Sequence, residues 1–203
     1  MIRSEARNLL DEADREGKRL RRHLLAAAAL SLILEHRPIV VGGTAEDYWT
    51  DNDYVPTDLD MCAPISKEDE RRLANAGFKR EGRHWFREGE HPIAVEFPEA
   101  RIEGEEQRAV EVPVGSTTVR VIGVEDLYLD RIRQSTATPE EDSEPLAGAV
   151  AIASARYERM DWRYVTKVIR STLERDPPLG ALMQRIDRRV RTRVRRALSG
   201  SGF

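Results

Sequence analysis

The chain has 203 residues, 40% of them apolar and 34% charged, with a net charge of −3; this is enough apolar material for one cored domain, or one plus a small partner, and the balance excludes a uniformly basic nucleic-acid binder. The single cysteine, Cys62, excludes an internal disulfide framework and a cysteine-rich zinc site, and fits a reducing compartment. The longest largely apolar run, residues 24–34, is eleven residues long, well short of the roughly 20 that a membrane-spanning helix needs. Arg19, Arg21 and Arg22 precede this run as they would in a signal peptide. A long acid-containing segment lies before them, however, and Glu35-His36-Arg37 follows where small residues would be wanted. The expectation is a buried helix in a cytoplasmic protein with no membrane partner.

In chain order, residues 3–22 are charged, with sparse apolar positions at Leu9, Leu10 and Leu20, and read as an exposed helix. Residues 23–35 continue it as an apolar helix that Pro38 ends. Ile39-Val40-Val41 is a short buried strand, turned by Gly42-Gly43, and Thr44 is placed to cap a short helix through Trp49. Residues 50–56 form a polar loop. A second strand runs from Asp58 to Ala63 and stops at Pro64. Ser66, with Asp69 three residues on, opens a helix to about Asn75 through a variant of the capping box, and Gly77 follows its end. Strand-like pieces occupy residues 78–86 and 93–97. Residues 110–114 and 117–122 flank a Gly115-Ser116 hairpin turn. Val124, Leu127, Tyr128 and Ile132 then recur at helical spacing.

Residues 136–145 are polar, acidic and proline-bounded, and read as a linker. Only helical patterns follow: 146–160, then 162–174, then a last helix from Pro177-Pro178 to about Leu198. The domain expectation is therefore 1–135 and 146–203. The final 19 residues carry seven Arg against one Asp, so the rest of the chain is strongly acidic.

The chemically suggestive pattern is Val40-Val41-Gly42-Gly43-Thr44, a gap of thirteen residues, and then Asp58-Leu59-Asp60-Met61. In an extended strand, side chains two apart share a face. Asp58 and Asp60 can thus address a divalent ion, or two close together, while Leu59 and Met61 face a core. Glycines allow a backbone to approach a ligand closely, and successive N–H groups can cradle phosphate. Glu96 is the best third acid: it sits mid-strand among Ile93, Val95 and Phe97, where an unpartnered charge is costly. Glu99 and Glu111 are weaker candidates, each near a strand end. Three carboxylates of this kind suit Mg²⁺ or Mn²⁺, which take oxygen ligands and can clamp phosphate oxygens.

These residues together resemble the signature of the nucleotidyltransferase superfamily with the DNA-polymerase-β-like fold, over residues 24–132. The short helical tail is similar to those of bacterial minimal nucleotidyltransferases and of the nucleotidyltransferase toxins of abortive-infection and toxin–antitoxin systems. Glu125-Asp126-Leu127 and Arg159-Met160-Asp161-Trp162 faintly resemble segments found there. The resemblance implies an α+β fold, a mixed β-sheet core with helices packed on it, followed by a small helical bundle. It implies a magnesium-dependent, nucleotide-binding (ATP-binding) transferase moving a nucleoside monophosphate from a nucleoside triphosphate to a hydroxyl of RNA (tRNA), protein or a small molecule. Gly42, Gly43 and Thr44 would bind the triphosphate; Asp58 and Asp60 would hold the metals; Glu96 would complete the catalytic site and help deprotonate the acceptor. The alternative is an inactive binding module on the same fold, or an antitoxin-type subunit. Asp47, Asp51 and Asp53, before Asp58, add negative charge that would repel a triphosphate unless it faces away.

Other residues carry two readings each. His84 and His91, near strand ends on either side of Trp85, read first as edge-strand surface and second as contacts to a base or acceptor. Lys79, Arg80, Arg83 and Arg87 read as a solvated strand face or as an acceptor groove. Tyr48 and Trp49 read as packing or as a stacking platform for a nucleobase. Ile186, Val190, Val194 and Leu198 recur every four residues, so one stripe of the last helix packs. Its seven arginines either solubilise it or grip RNA phosphates.

Overall fold

The computed structural model describes residues 4–51, 56–137 and 143–200. Its fold is α+β, with a mixed seven-stranded sheet and flanking helices. Contacts divide the chain into two compact units: the described residues of Met1–Tyr48 with Tyr54–Ile122, and Trp49–Asp53 with Gly123–Phe203. The Asp53 position and residues 138–142 of the expected linker lie outside the described residues; residues 136–137 close one helix and Glu144 opens the next.

In the first unit, α1 (Ser4–Arg15) and α2 (Arg19–Ile33) are separate helices. The single exposed helix expected over 3–22 is corrected on two counts. Gly17, with its low helix propensity, falls in the break between them. And α1 is amphipathic: Ala6, Leu9, Leu10 and Ala13, at i, i+3, i+4 and i+7, are buried. The α2 helix is apolar nearly all round, with Leu25, the four alanines 26–29, Leu30 and Ile33 buried, so it lies beneath other elements.

Seven strands form the sheet of this unit. They are β1 (Ile39–Val40), β2 (Leu59–Cys62), β3 (Lys79–Glu81), β4 (His84–Arg87), β5 (Ile93–Glu96), β6 (Val110–Val114) and β7 (Thr117–Val121). Spatially they run β3-β4-β5-β2-β1-β7-β6. β1 and β2 are antiparallel; β2 and β5 are parallel, as are β1 and β7. The 78–86 piece is two strands, because the turn at Gly82 folds β3 back on β4. Leu59, Met61, Ile93 and Val95 are almost fully buried, as the period-2 pattern requires of the core face. Between the strands lie α3 (Gly42–Thr50) and α4 (Lys67–Asn75). α4 opens with a reciprocal capping box: the Asp69 N–H donates to Ser66 Oγ at 3.1 Å and the Ser66 N–H donates to Asp69 Oδ2 at 3.2 Å.

The second unit contains α5 (Val124–Ala137), α6 (Glu144–Arg156), α7 (Trp162–Arg175) and α8 (Pro177–Gly200). Pro177 and Pro178 begin α8, where a missing N–H costs nothing. Gly180 allows a close crossing of α7 and α8, since a Cβ there would stand 2.2 Å from Leu173 Cα. Buried acids tie the helices together. Glu125 accepts the Asp161 N–H at 2.8 Å, and Asp126 accepts the Tyr164 hydroxyl at 2.6 Å. The Tyr128 hydroxyl donates to Asp187 at 2.9 Å. Burial, with Asp187 beside it, pushes the Tyr128 hydroxyl far above its ordinary pKa, so it stays a donor. Among the described residues, no helix is long and apolar enough to cross a membrane.

Candidate active site

β1 ends where the chain bends sharply at Gly42, which adopts φ +57° and begins α3. The helix therefore starts two residues before Thr44, and Thr44 is not its cap. The reason is spatial. An ideal Cβ on residue 42 would lie 2.1 Å from Asp60 Oδ2, so only glycine lets the bend pack on that carboxylate. The Val41 N–H donates to the Asp60 carbonyl at 3.0 Å, fixing the bend to β2. The N–H groups of a helix's first turn have no intrahelical acceptors, and they concentrate positive potential. Gly42 and Gly43 form that turn.

Thr44 is fully buried. Its hydroxyl donates to the Asp58 carbonyl at 3.2 Å and lies 2.8 Å from His23 Nδ1. The hydroxyl has one proton, so Nδ1 is the protonated ring nitrogen of His23. Burial first, then Arg22 and Arg19, push the His23 pKa down to about 4, while Asp58 pulls the other way. His23 is neutral in this position. The side chain of residue 44 is therefore turned inward, where it braces the entry to the strand carrying the acids.

Strand register sets the acids. Asp60 pairs with Glu96 across the parallel β2–β5 ladder, and His84 pairs with Glu96 across the antiparallel β4–β5 ladder. Paired residues project on one face, so Asp60, Glu96 and His84 form a row across three neighbouring strands. Asp58, two residues before Asp60, joins that face. His84 Nε2 lies 3.3 Å from Asp58 Oδ2 and 3.3 Å from Glu96 Oε2. Arg83 Nε lies 3.3 Å from the same Glu96 oxygen, on a side chain that is mostly exposed.

Among the described residues, Asp58, His84 and Glu96 bring ligand atoms within 4.8 Å of one another. The structure thus brings Asp58 and Glu96 together, but the third member is an imidazole from β4. Asp60 stays on the same face, against Gly42, outside the trio. Glu111 is elsewhere: it pairs with Arg37 at 2.9 Å and accepts from Thr118, which holds its carboxyl below the usual range. Glu99 accepts the Ala63 N–H through its carbonyl at the end of β2.

The acids expected to burden the preceding loop are partly accounted for. Asp47 is buried in α3, and burial raises its carboxyl pKa. Asp51, with φ +59°, is bound through both carboxylate oxygens by Arg156 at 3.0 Å. Arg156 also lies over the Trp49 ring and donates to the Trp49 carbonyl at 2.8 Å, so Trp49 is occupied as packing surface.

The donor set fits a divalent cation. Two carboxylates, Asp58 and Glu96, meet on one face, and a third, Asp60, is register-paired with Glu96 and packed on the glycine bend, so hard oxygen ligands lie next to main-chain donors. Such a site can neutralise the oxygens of a triphosphate and polarise a hydroxyl.

No protein-family model matches the chain, and no curated protein sequence matches it. Among solved structures, it is similar to an antigenic nucleotidyltransferase-like protein from Paracoccidioides brasiliensis, with TM-score 0.48 and 9% identity over 91% of this chain and 94% of that one. It is also similar to the antibiotic-resistance factor ANT(2'')-Ia, with TM-score 0.49 and 16% identity over 80% of this chain and 94% of that one. With TM-scores below 0.5 these likenesses assign no activity, and the chemistry is read from the side chains.

Proposed function

We propose that this chain is a divalent-metal-dependent nucleotidyltransferase that moves a nucleoside monophosphate from a nucleoside triphosphate to a hydroxyl acceptor. The observation that carries this reading is the meeting of Asp58 and Glu96 on one sheet face, with Asp60 in register beside Glu96 and Gly42 packed on Asp60. Asp58, Asp60 and Glu96 would hold the metal, and a bound divalent ion supplies charge neutralisation at the triphosphate and polarises the attacking oxygen.

The chain's own groups do the rest. The first turn of α3, with Gly42 and Gly43, offers main-chain N–H donors to phosphate oxygens. The acceptor oxygen bonds to the α-phosphorus, the bond from that phosphorus to the oxygen bridging the β-phosphate breaks, and pyrophosphate leaves. The hydroxyl proton passes to a carboxylate, a role this reading gives to Glu96, which His84 and Arg83 contact. The buried His23–Thr44–Asp58 chain holds the strand entry in position.

RNA is the acceptor favoured by the helical unit. A cavity of about 720 Å³ on α7 and α8 is edged by Arg163, Lys167, Arg170 and Arg191, with Glu174 as its one acid. Arg191 stacks on Trp162 at 4.4 Å, an arrangement that offers both phosphate contacts and a ring face.

The test is incubation with each labelled triphosphate, Mg²⁺ or Mn²⁺, and total RNA, protein or small hydroxyl compounds. Label should enter RNA, and Asp58→Ala should abolish transfer with the circular dichroism spectrum unchanged. Transfer that survives Asp58→Ala sinks the proposal. Metal-dependent triphosphate binding without transfer to any acceptor would favour the inactive binding-module reading instead.

A further inference from the structure

His84 was the residue without a task in the oxygen-ligand picture, yet it stands at the centre of the cluster. Its Nε2 is 3.3 Å from one oxygen of Asp58 and 3.3 Å from one oxygen of Glu96. Charge-assisted N–H···O bonds usually close to about 2.7–2.9 Å, so both contacts are longer than two strong bonds would be. They match the edge of a coordination polyhedron. Ligands about 2.0–2.2 Å from one ion stand roughly 3.0–3.4 Å apart when adjacent.

The backbone enforces this placement. His84 is the register partner of Glu96 on β5, and Asp58 enters β2 on the far side of the same strand. The His84 ring is held by a tilted contact with Phe86, 5.7 Å between centroids. The side chains of His84 and Asp58 are 25% and 26% exposed, so the cluster opens to solvent and an ion can enter. Arg83, which also pairs with Glu96, is 75% exposed and so reaches the cluster from the solvent side.

We propose that His84 is itself a metal ligand. His84 then adds an imidazole to the carboxylates of Asp58 and Glu96, beside Asp60, and the mixed donor set selects Mn²⁺, Co²⁺ or Zn²⁺ over Mg²⁺. An imidazole nitrogen suits borderline transition ions, whereas Mg²⁺ prefers oxygen and water. The inference deepens the proposed transferase site and rests on that reading for its two carboxylates.

The experiment uses the full-length, untagged protein, stripped with chelator and loaded with Mn²⁺ in the absence of nucleotide. Pulsed electron paramagnetic resonance should show ¹⁴N coupling from a directly bound imidazole. The coupling should vanish in His84→Gln, and Mn²⁺ and Zn²⁺ affinity should fall about tenfold or more, on the scale of ligand-sphere losses, while Mg²⁺ affinity changes little. Bound Mn²⁺ without nitrogen coupling in the wild type overturns the inference, as does coupling that persists in His84→Gln. Asp58→Asn separates the two levels. If it abolishes Mn²⁺ binding while His84→Gln does not weaken it, only the role of His84 is lost. If the wild type binds no Mn²⁺, or Asp58→Asn binds it as the wild type does, the metal reading of the transferase site falls as well.

Discussion

Gly42 and Asp60 occupy a space that admits one side chain only. A Cβ at residue 42 would sit 2.1 Å from Asp60 Oδ2 and 2.8 Å from its Cγ, on a backbone with φ +57°. Two penalties therefore coincide, a left-handed backbone and a collision with a carboxylate of the site. Gly42→Ala should lower stability by about 1–3 kcal/mol, read by chemical denaturation. It should also reduce nucleotide transfer, because relief of the collision must move Asp60 or the α3 start. A variant as stable and active as the wild type would show that the bend tolerates a side chain.

Thr44→Val keeps the volume but removes the hydroxyl that joins His23 to the Asp58 carbonyl. Two buried groups lose their partner at once. The expected cost is about 1–3 kcal/mol, with a lowered transfer rate and little change in secondary structure. If the hydroxyl bound phosphate directly, triphosphate affinity would fall with stability intact; the denaturation midpoint decides between the two.

His23 makes stability depend on pH. Its pKa falls from 6.5 to about 4 on folding, so between those values the unfolded chain binds more protons than the folded one. Stability is then fully present above about pH 6.5 and declines as pH falls toward 4. Going from pH 7 to pH 5, the loss from this group is roughly 1–2 kcal/mol. Asp47, raised by burial, contributes the opposite slope. The readout is accordingly the difference between wild type and His23→Gln: the variant should lose less stability on acidification. Parallel pH profiles for the two proteins would refute the assignment.

The capping box of α4 gives a fourth test. Burial pushes the Asp69 carboxyl up, but the N–H of Glu35, the hydroxyl and N–H of Ser66, and Arg72 outweigh it and hold it below the ordinary range. Ser66→Ala should cost about 1 kcal/mol. Asp69→Asn should cost more, about 2–3 kcal/mol, because it removes the charge at the centre of that network. An Asp69→Asn cost no larger than that of Ser66→Ala, measured by urea titration, would show that the Asp69 charge adds nothing beyond the cap.

Residues whose role is local were legible in the sequence. The run Ile39-Val40, the Gly42-Gly43 bend, the alternation around Asp58-Leu59-Asp60-Met61 and the Gly115-Ser116 hairpin each state their geometry within a few neighbours. The Ser66–Asp69 pair did so as well. What was not legible depends on pairing across the fold. Thr44 looked like a cap or a phosphate contact, and only the burial of His23 beside it shows its hydroxyl turned inward. His84 read as edge-strand surface, although a signal was present: His84 and Glu96 each lie six residues from Glu90, so a hairpin centred there puts them opposite one another. Symmetry about a loop was the clue, and residue type alone did not carry it. The break between α1 and α2 was hidden for another reason, since the charged residues around Gly17 are good helix formers that mask it.

Both margins of the sheet are short or interrupted. At one side, β3 is three residues long, with Lys79, Arg80 and Glu81 all exposed; at the other, β6 carries Pro113, which has no N–H to give. Neither rim presents an unbroken ladder onto which another copy can add. Such rims are poor templates for strand addition, and His84 stands one strand in from the β3 rim, on β4.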